Sequence, residues 1–348
     1  MKIAQLASIW ERIPPTTYGG AELITSYITD NLVKKGHKVT LFATANSITK
    51  AKLVSIFPKG LYRVNIPWSN FSYPFLNTLE VYKRANEFDI IHNHAGIPAL
   101  FFTRFVKTPT ISTLHSSSTV KDKLIREKFP GALYVAISKF QAKAFNLPKN
   151  TPVIYNGIRL KDYPFSTKKR EYLIWLGRIS RDKGTKEAIE IAKKSGERLL
   201  IAGKVDKFDP PQLEYYQKEI AHLIDNHQIK YLGEVSNRKI PHYLAKAKAI
   251  LVPLNWNEPF GLTMIEAMAC GTPVIAYNKA AVSEIVVQGR TGFILPHGDI
   301  QGMIKAVKKI NQIDPRACRK QIEKNFTVEK MVDDYEKLFK KIISKKAV

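Results

Sequence analysis

Short apolar runs alternate along most of this chain with amphipathic stretches, a pattern that predicts strand followed by helix, repeated. In the first half, strands are expected at 2–7, 38–44, 90–94, 108–114, 133–137 and 152–155, with a helix over about 20–35 and helical segments between several of the others. Asn156-Gly157-Ile158 ends the sixth run, and the charged, aperiodic stretch 161–170 is expected to be an interdomain linker. A second series follows: strand 172–176, helix 184–194, strand 199–202, a long segment 211–226, strands 229–232, 249–254, 273–277 and 292–295, and helices from 300 onward. Strands joined through helices run parallel and are covered on both faces, so each series predicts a doubly wound parallel sheet of the α/β class.

Length agrees with this division, since 348 residues exceed one ordinary core and suit two domains. The hydrophobic share of 45% is a globular value, and no apolar run is long enough to span a membrane. The N-terminal run is interrupted by Trp10, Glu11 and Arg12 and is expected to be the first strand rather than a leader. Cys270 and Cys318 offer no disulfide framework, which suits the cytoplasm. Charge changes the picture more: 55 basic against 30 acidic residues give +25, an excess that attracts nucleic acid, anionic lipid or phosphorylated small molecules. The lysines are scattered rather than clustered, so solvated helix faces account for many of them, and peripheral contact with an anionic membrane surface is an added expectation.

The most informative stretch is Asn257-Glu258-Pro259-Phe260-Gly261-Leu262-Thr263-Met264-Ile265-Glu266. Glu258 follows a buried strand, at the end where open α/β sheets place ligands. Pro259 keeps the preceding residue out of the helix, so the helix starts near Gly261 and the first N–H groups, from Gly261 to Thr263, form an anion site. Carboxylates beside such a site suit hydroxyl groups, which they accept from strongly, rather than the phosphate they would repel. The plainer alternative is a capping Glu258 and a solvated Glu266, but Glu266 stands among Met264, Ile265, Ala267 and Met268, an apolar setting in which an acid needs a partner.

Leu176-Gly177-Arg178-Ile179-Ser180-Arg181-Asp182-Lys183-Gly184 also joins a strand end to a helix, and Arg178 with Lys183 can converge there on a diphosphate. Thr17-Tyr18-Gly19-Gly20-Ala21-Glu22 joins the first strand to its helix, a weaker signal in which a simple helix start is an equal reading. His92 and His94 in Ile-His-Asn-His-Ala-Gly, and His115 in Thr-Leu-His-Ser, mark two adjacent strand ends. No neighbouring acid or cysteine completes a metal set, and no Asp-x-Asp motif is present, so neither metal nor other cofactor is expected.

Glu258 and Glu266 resemble the Glu-x7-Glu signature of the retaining, nucleotide-sugar-dependent glycosyltransferases of family 4, and the resemblance extends along almost the whole chain. It implies the GT-B fold: two Rossmann-like domains facing across a cleft, here 1–160 for the acceptor and 161–327 for the donor, with a helix over 328–348 returning to the first. It further implies that Glu258 contacts the donor hexose, Glu266 the ribose, Arg178 and Lys183 the phosphates, and His115 the transferred sugar. Gly19 and Gly20 resemble the family's glycine loop, Gly233 the turn beside the nucleobase, and Phe260, Gly261, Leu262 and Thr263 complete the expected donor site. His94 matches a recurrent histidine, while Asn156-Gly157 matches a junction segment in which Arg159 replaces the usual aspartate. The expected partners are a nucleotide sugar, UDP before GDP, and a saccharide, lipid-linked or small-molecule acceptor, with oligomeric state left open. A nucleotide-sugar epimerase of the same architecture is the rival enzyme; a basic nucleic-acid-binding protein is the rival from another class, and the chain carries no recognisable RNA-binding motif.

Overall fold

The structure, a computed structural model, describes residues 1–17, 19–67, 70–117, 120–168 and 171–346. They fall into two units: Met1–Pro15, Gly19–Gly157 and Val328–Val348 form one, Thr16–Tyr18 and Ile158–Thr327 the other.

The first unit is built on six parallel strands, β1 (Lys2–Leu6), β2 (Lys38–Phe42), β3 (Lys52–Val54), β4 (Ile90–Asn93), β5 (Thr110–Thr113) and β6 (Leu133–Val135), in the order β3-β2-β1-β4-β5-β6. Its helices include α1 (Gly20–Lys34), α2 (Ser72–Lys83), α3 (Val120–Glu127) and α4 (Lys139–Ala144), with a 3-10 segment at Ile97–Phe105. Every residue of β4 and β5 is buried, as expected of central parallel strands covered on both faces. One core cluster gathers Leu6, Phe42, Val81, Phe88 and Ile91, and a second lies around Ala7, Ile13, Leu41 and Ala43.

The second unit repeats the topology with β7 (Tyr172–Arg178), β8 (Leu199–Lys204), β9 (Ile229–Gly233), β10 (Ala247–Val252), β11 (Val274–Tyr277) and β12 (Gly292–Leu295), ordered β12-β11-β10-β7-β8-β9. Around it run α5 (Thr185–Ser195), α6 (Pro210–Tyr215), α7 (Ile240–Lys246), α8 (Leu262–Ala269), α9 (Val282–Ile285), α10 (Ile300–Lys309) and α11 (Pro315–Asn325).

Three local expectations need correction. The short edge strand β3 has no apolar run to announce it, being Lys-Leu-Val beside Lys50 and Ala51. Residues 152–155 make a single bridge, Val153 to Ala136, because Pro152 has no N–H to extend the ladder and Asn156-Gly157 turns away. The stretch 161–170 is not a free linker where it is described: Tyr163 is buried in the second unit and Ser166 donates to the Cys270 carbonyl, while 169–170 lie outside the described residues.

The final helix, α12 (Val328–Lys346), belongs to the first unit, where Tyr335 and Phe339 are fully buried. Its docking is ionic as well as apolar, with Glu336 accepting from Lys35 at 2.8 Å, Lys340 at 2.7 Å and His37 at 3.1 Å. Hydrogen bonds from Lys340 and Lys35 hold the Glu336 carboxyl down at about 2. Burial pushes the His37 imidazole below its ordinary value. Both groups bind protons more readily in the unfolded chain, so both contribute fully at neutral pH; the histidine's share is lost as pH falls below about 6.5, and the glutamate's as pH falls from about 4.5 towards 2. Glu336→Gln is expected to cost about 1 kcal/mol at pH 7, the lysines being partly solvated, and almost nothing at pH 2. Urea titrations at the two pH values check this.

Candidate functional site

β7 and β10 are hydrogen-bonded neighbours, and the strand order proceeds outward from them in opposite directions. This is a topological switch point, where adjacent connections leave on opposite faces and open a crevice beyond the carboxyl ends. From β7 the chain passes through Arg178 and a 3-10 turn, Arg181–Lys183, to Gly184 and α5. From β10 it passes through Asn255, Trp256 and Glu258 to Gly261, the left-handed cap of α8. The helix thus begins where Pro259 predicts.

The two loops meet through charge. Lys183 Nζ is ion-paired with Glu258 Oε2, and the ammonium lies 4.3 Å from the centroid of the Trp256 ring. With the two side chains only 14% and 19% exposed, this pair is far better sheltered than a surface salt bridge. Asn255 fixes the loops against one another: its N–H donates to Asp182 O at 2.8 Å, and its Nδ2 donates to Arg181 O at 3.0 Å and Glu187 Oε1 at 2.6 Å. Arg178 approaches Asp182 at 3.6 Å, and its Nε is buried without a hydrogen bond among the described residues. A buried donor left in that state is costly unless something else accepts from it.

Glu266 sits one turn into α8 between buried Ile265 and Ala267. Tyr163 OH donates to its Oε1 at 3.0 Å, and burial raises its pKa above the usual carboxylate range. Leu262 and Thr263 form the first turn of the same helix. The Phe260 side chain is 2% exposed and packs edge-on against Phe326 at 5.9 Å, beneath the loop. Gly233 ends β9, two strands away from β7, with φ +72°.

The first unit carries the remaining expected residues. Gly19 precedes α1 with φ 145°, and Gly20 is the first residue of that helix. His115 follows β5, and its Nε2 lies 2.9 Å from His94 Nδ1. His94 Nε2 in turn lies 2.9 Å from Gln5 Oε1 and 3.2 Å from His92 Nδ1. His92 Nε2 reaches Thr113 Oγ1 at 2.8 Å, and that hydroxyl meets Tyr335 OH of α12 at 2.9 Å. Burial pushes His115 down to about 4 and holds His92 and His94 well below the ordinary histidine value. All three are therefore neutral at pH 7, able to pass hydrogen bonds but not to supply charge.

Sequence reasoning missed Asn255, Trp256, Tyr163 and Gln5. Only Gln5 left a signal, an amide inside the apolar strand Lys-Ile-Ala-Gln-Leu, where a buried polar group requires a partner. Among the described residues, no group of three or more histidine, cysteine, aspartate or glutamate side chains is arranged to hold a metal ion.

The arrangement matches known proteins on both units. A family model described as Glycosyltransferase Family 4 matches residues 18–162, and one described as Glycosyl transferases group 1 matches residues 160–327. The chain is 24% identical to the N-acetyl-alpha-D-glucosaminyl L-malate synthase of Bacillus anthracis over 369 aligned residues, covering 92% of this chain and 93% of that one. Sucrose-phosphate synthase from Thermosynechococcus elongatus is structurally similar, with a TM-score of 0.83 at 17% identity over 99% of both chains. HepE of Anabaena, solved in complex with UDP and glucose, has a TM-score of 0.77 at 19% identity, covering 98% of this chain and 100% of that one. With two parallel six-stranded α/β sheets and these GT-B neighbours, the chain belongs to the glycosyltransferases of family 4.

Proposed function

We propose that this glycosyltransferase moves a hexose from a nucleoside-diphosphate sugar to a saccharide, lipid-linked or small-molecule acceptor with retention of anomeric configuration. The observation that carries the reading is the Lys183–Glu258 pair at the β7/β10 switch point, with the buried Glu266 on the following helix. A cation and a carboxylate placed side by side serve the two ends of such a donor. Lys183 and Arg178, with the first N–H groups of α8, neutralise the departing diphosphate, which leaves no need for a metal cofactor. Glu258 accepts from the hexose hydroxyls and Glu266 from the ribose hydroxyls. His115, held neutral by burial, supplies a hydrogen bond at the transferred sugar. UDP is favoured over GDP as the nucleotide, supported by the UDP complex of the HepE neighbour.

Incubating the enzyme with UDP-hexoses and a panel of acceptors, and reading the product anomer by NMR, tests this directly. An α-donor giving an α-linked product is expected. Interconversion of the donor sugar without an acceptor would establish the epimerase instead, and an inverted product would remove the retaining assignment.

The ribose role of Glu266 has its own test. Glu266→Gln keeps the shape and removes the charged acceptor, and a hydrogen bond to a charged group contributes about 1.5–3 kcal/mol, so UDP affinity by calorimetry should fall roughly tenfold or more. Wild-type affinity should also weaken as pH drops through the raised Glu266 pKa, because the protonated form accepts less well, and the glutamine variant should lack that step. Unchanged UDP affinity in the variant would remove Glu266 from the nucleotide site.

A further inference from the structure

On the first unit, Phe105 is 83% exposed and Phe101 is 43% exposed at the end of the Ile97–Phe105 segment, with Arg104 and Lys107 exposed beside them. The Phe101 ring belongs to an aromatic ridge. Phe101 lies 6.0 Å from Phe75 of α2 and 5.5 Å from Phe129, which follows α3, and the Arg104 guanidinium rests 5.2 Å from the Phe129 ring. Phe71 stands one helical turn before Phe75, which donates its N–H to the Phe71 carbonyl, and is itself 61% exposed. Leu124 of α3 adds another side chain at 60% exposure.

Charge gives the ridge its direction. Residues 90–121 contain no aspartate or glutamate, and neither do residues 31–79, so Phe71, Phe75 and the whole Phe101–Lys107 run come from acid-free chain. The first 157 residues carry 20 lysines and arginines against 8 acids. Of the acids bordering the ridge, Glu127 pairs with Lys123 and Glu87 with Arg84. Exposed aromatic rings alternating with cations, with acids confined to the α3 side at Asp122 and Glu127, match a surface that is apolar below and anionic above. Phenylalanines enter the acyl boundary while arginine and lysine stay among the phosphates. A single-stranded nucleic acid would use the cations and stack on the rings, but it has no use for the exposed aliphatic Leu124. No helix among the described residues is long and apolar enough to cross a membrane, so the contact would be peripheral.

We propose that the ridge formed by Phe71, Phe101, Arg104, Phe105, Lys107 and Leu124 docks the enzyme on an anionic lipid bilayer. Whichever acceptor the enzyme uses, the surface can be tested without catalysis. The probe is sedimentation of the purified full chain with vesicles of phosphatidylcholine alone, or phosphatidylcholine with one third phosphatidylglycerol. Binding only to the anionic vesicles is expected. Phe105→Ser should weaken partitioning by about tenfold through lost apolar insertion. Lys107→Glu should weaken it at least fivefold and reduce its salt dependence. Both positions are exposed, and unchanged thermal unfolding would establish that each variant is folded. Equal binding to both vesicle types, or wild-type binding by Phe105→Ser, would overturn the proposal. So would a wild-type dimer in sedimentation velocity that Phe105→Ser dissociates, since the ridge would then be a self-association face.

Discussion

Replacing Lys183 by alanine is expected to lower kcat/KM for sugar transfer by about 10²–10³, the loss typical of one well-placed electrostatic group at a leaving group. Two causes combine in that number. A diphosphate at the β7/β10 crevice would lose its sheltered cation, and Glu258 would be left as a carboxylate 19% exposed without its ion-pair partner. A double-mutant cycle with Glu258→Gln separates the two. If Lys183 acts only by holding Glu258, adding Lys183→Ala to Glu258→Gln costs little further activity. If it acts on the phosphate, Lys183→Ala costs about as much in the Glu258→Gln background as in the wild type, and this second outcome is the expected one. Near-wild-type transfer by Lys183→Ala would remove the lysine from the mechanism.

The second large effect needs only one methyl group. Gly184 has φ +70°, and a Cβ built there would stand 1.9 Å from the Pro253 carbonyl oxygen and 2.8 Å from its carbonyl carbon. Neither obstacle is the tip of a flexible side chain, so the backbone itself must move. Gly184→Ala therefore combines the left-handed penalty of about 1–2 kcal/mol with a core clash of about 1–3 kcal/mol. A loss of about 3 kcal/mol is expected, lowering Tm by roughly 6–12 °C for a unit of this size. Calorimetry reads the stability, and turnover should fall as well, because separating residue 184 from Pro253 separates the Lys183 loop from the Glu258 loop. A variant with wild-type Tm would mean that the two strand ends are not in contact.

The sheets were legible because central parallel strands are buried on both faces and so appear as unbroken apolar runs, as in Val-Ile-Ala-Tyr of β11. The edge strand β3 was not, since Lys-Leu-Val carries neither length nor pattern. Within the site, Glu258, Glu266, Arg178 and Lys183 stood out as charges at strand ends and on an apolar helix. Asn255 and Trp256 did not, because an asparagine in a polar loop is ordinary until its side chain is found bonded to Arg181 O and Glu187, residues about seventy positions earlier. Tyr163 was hidden in the same way inside a charged stretch, its purpose visible only once its hydroxyl meets Glu266. His94 and His115 were noticed singly, whereas the chain of contacts from His115 through His94 and His92 to Tyr335 joins segments more than two hundred residues apart.

That last connection sets the order in which the molecule can be made. The second unit is nearly continuous in sequence, but the first unit needs α12, which is synthesised only after the 158–327 stretch of the second unit. At ordinary synthesis rates the first 157 residues must wait roughly 10–30 s for the intervening stretch before Tyr335 and Phe339 exist to cover the His92 side of the sheet. Until then the nascent amino-terminal sheet has an uncovered face and an unfinished histidine chain, and chaperones have their longest access to it. Any attempt to reconstitute the enzyme from two pieces must therefore supply residues 328–346 to the amino-terminal piece, since a cut after Gly157 alone divides the first unit rather than separating the two.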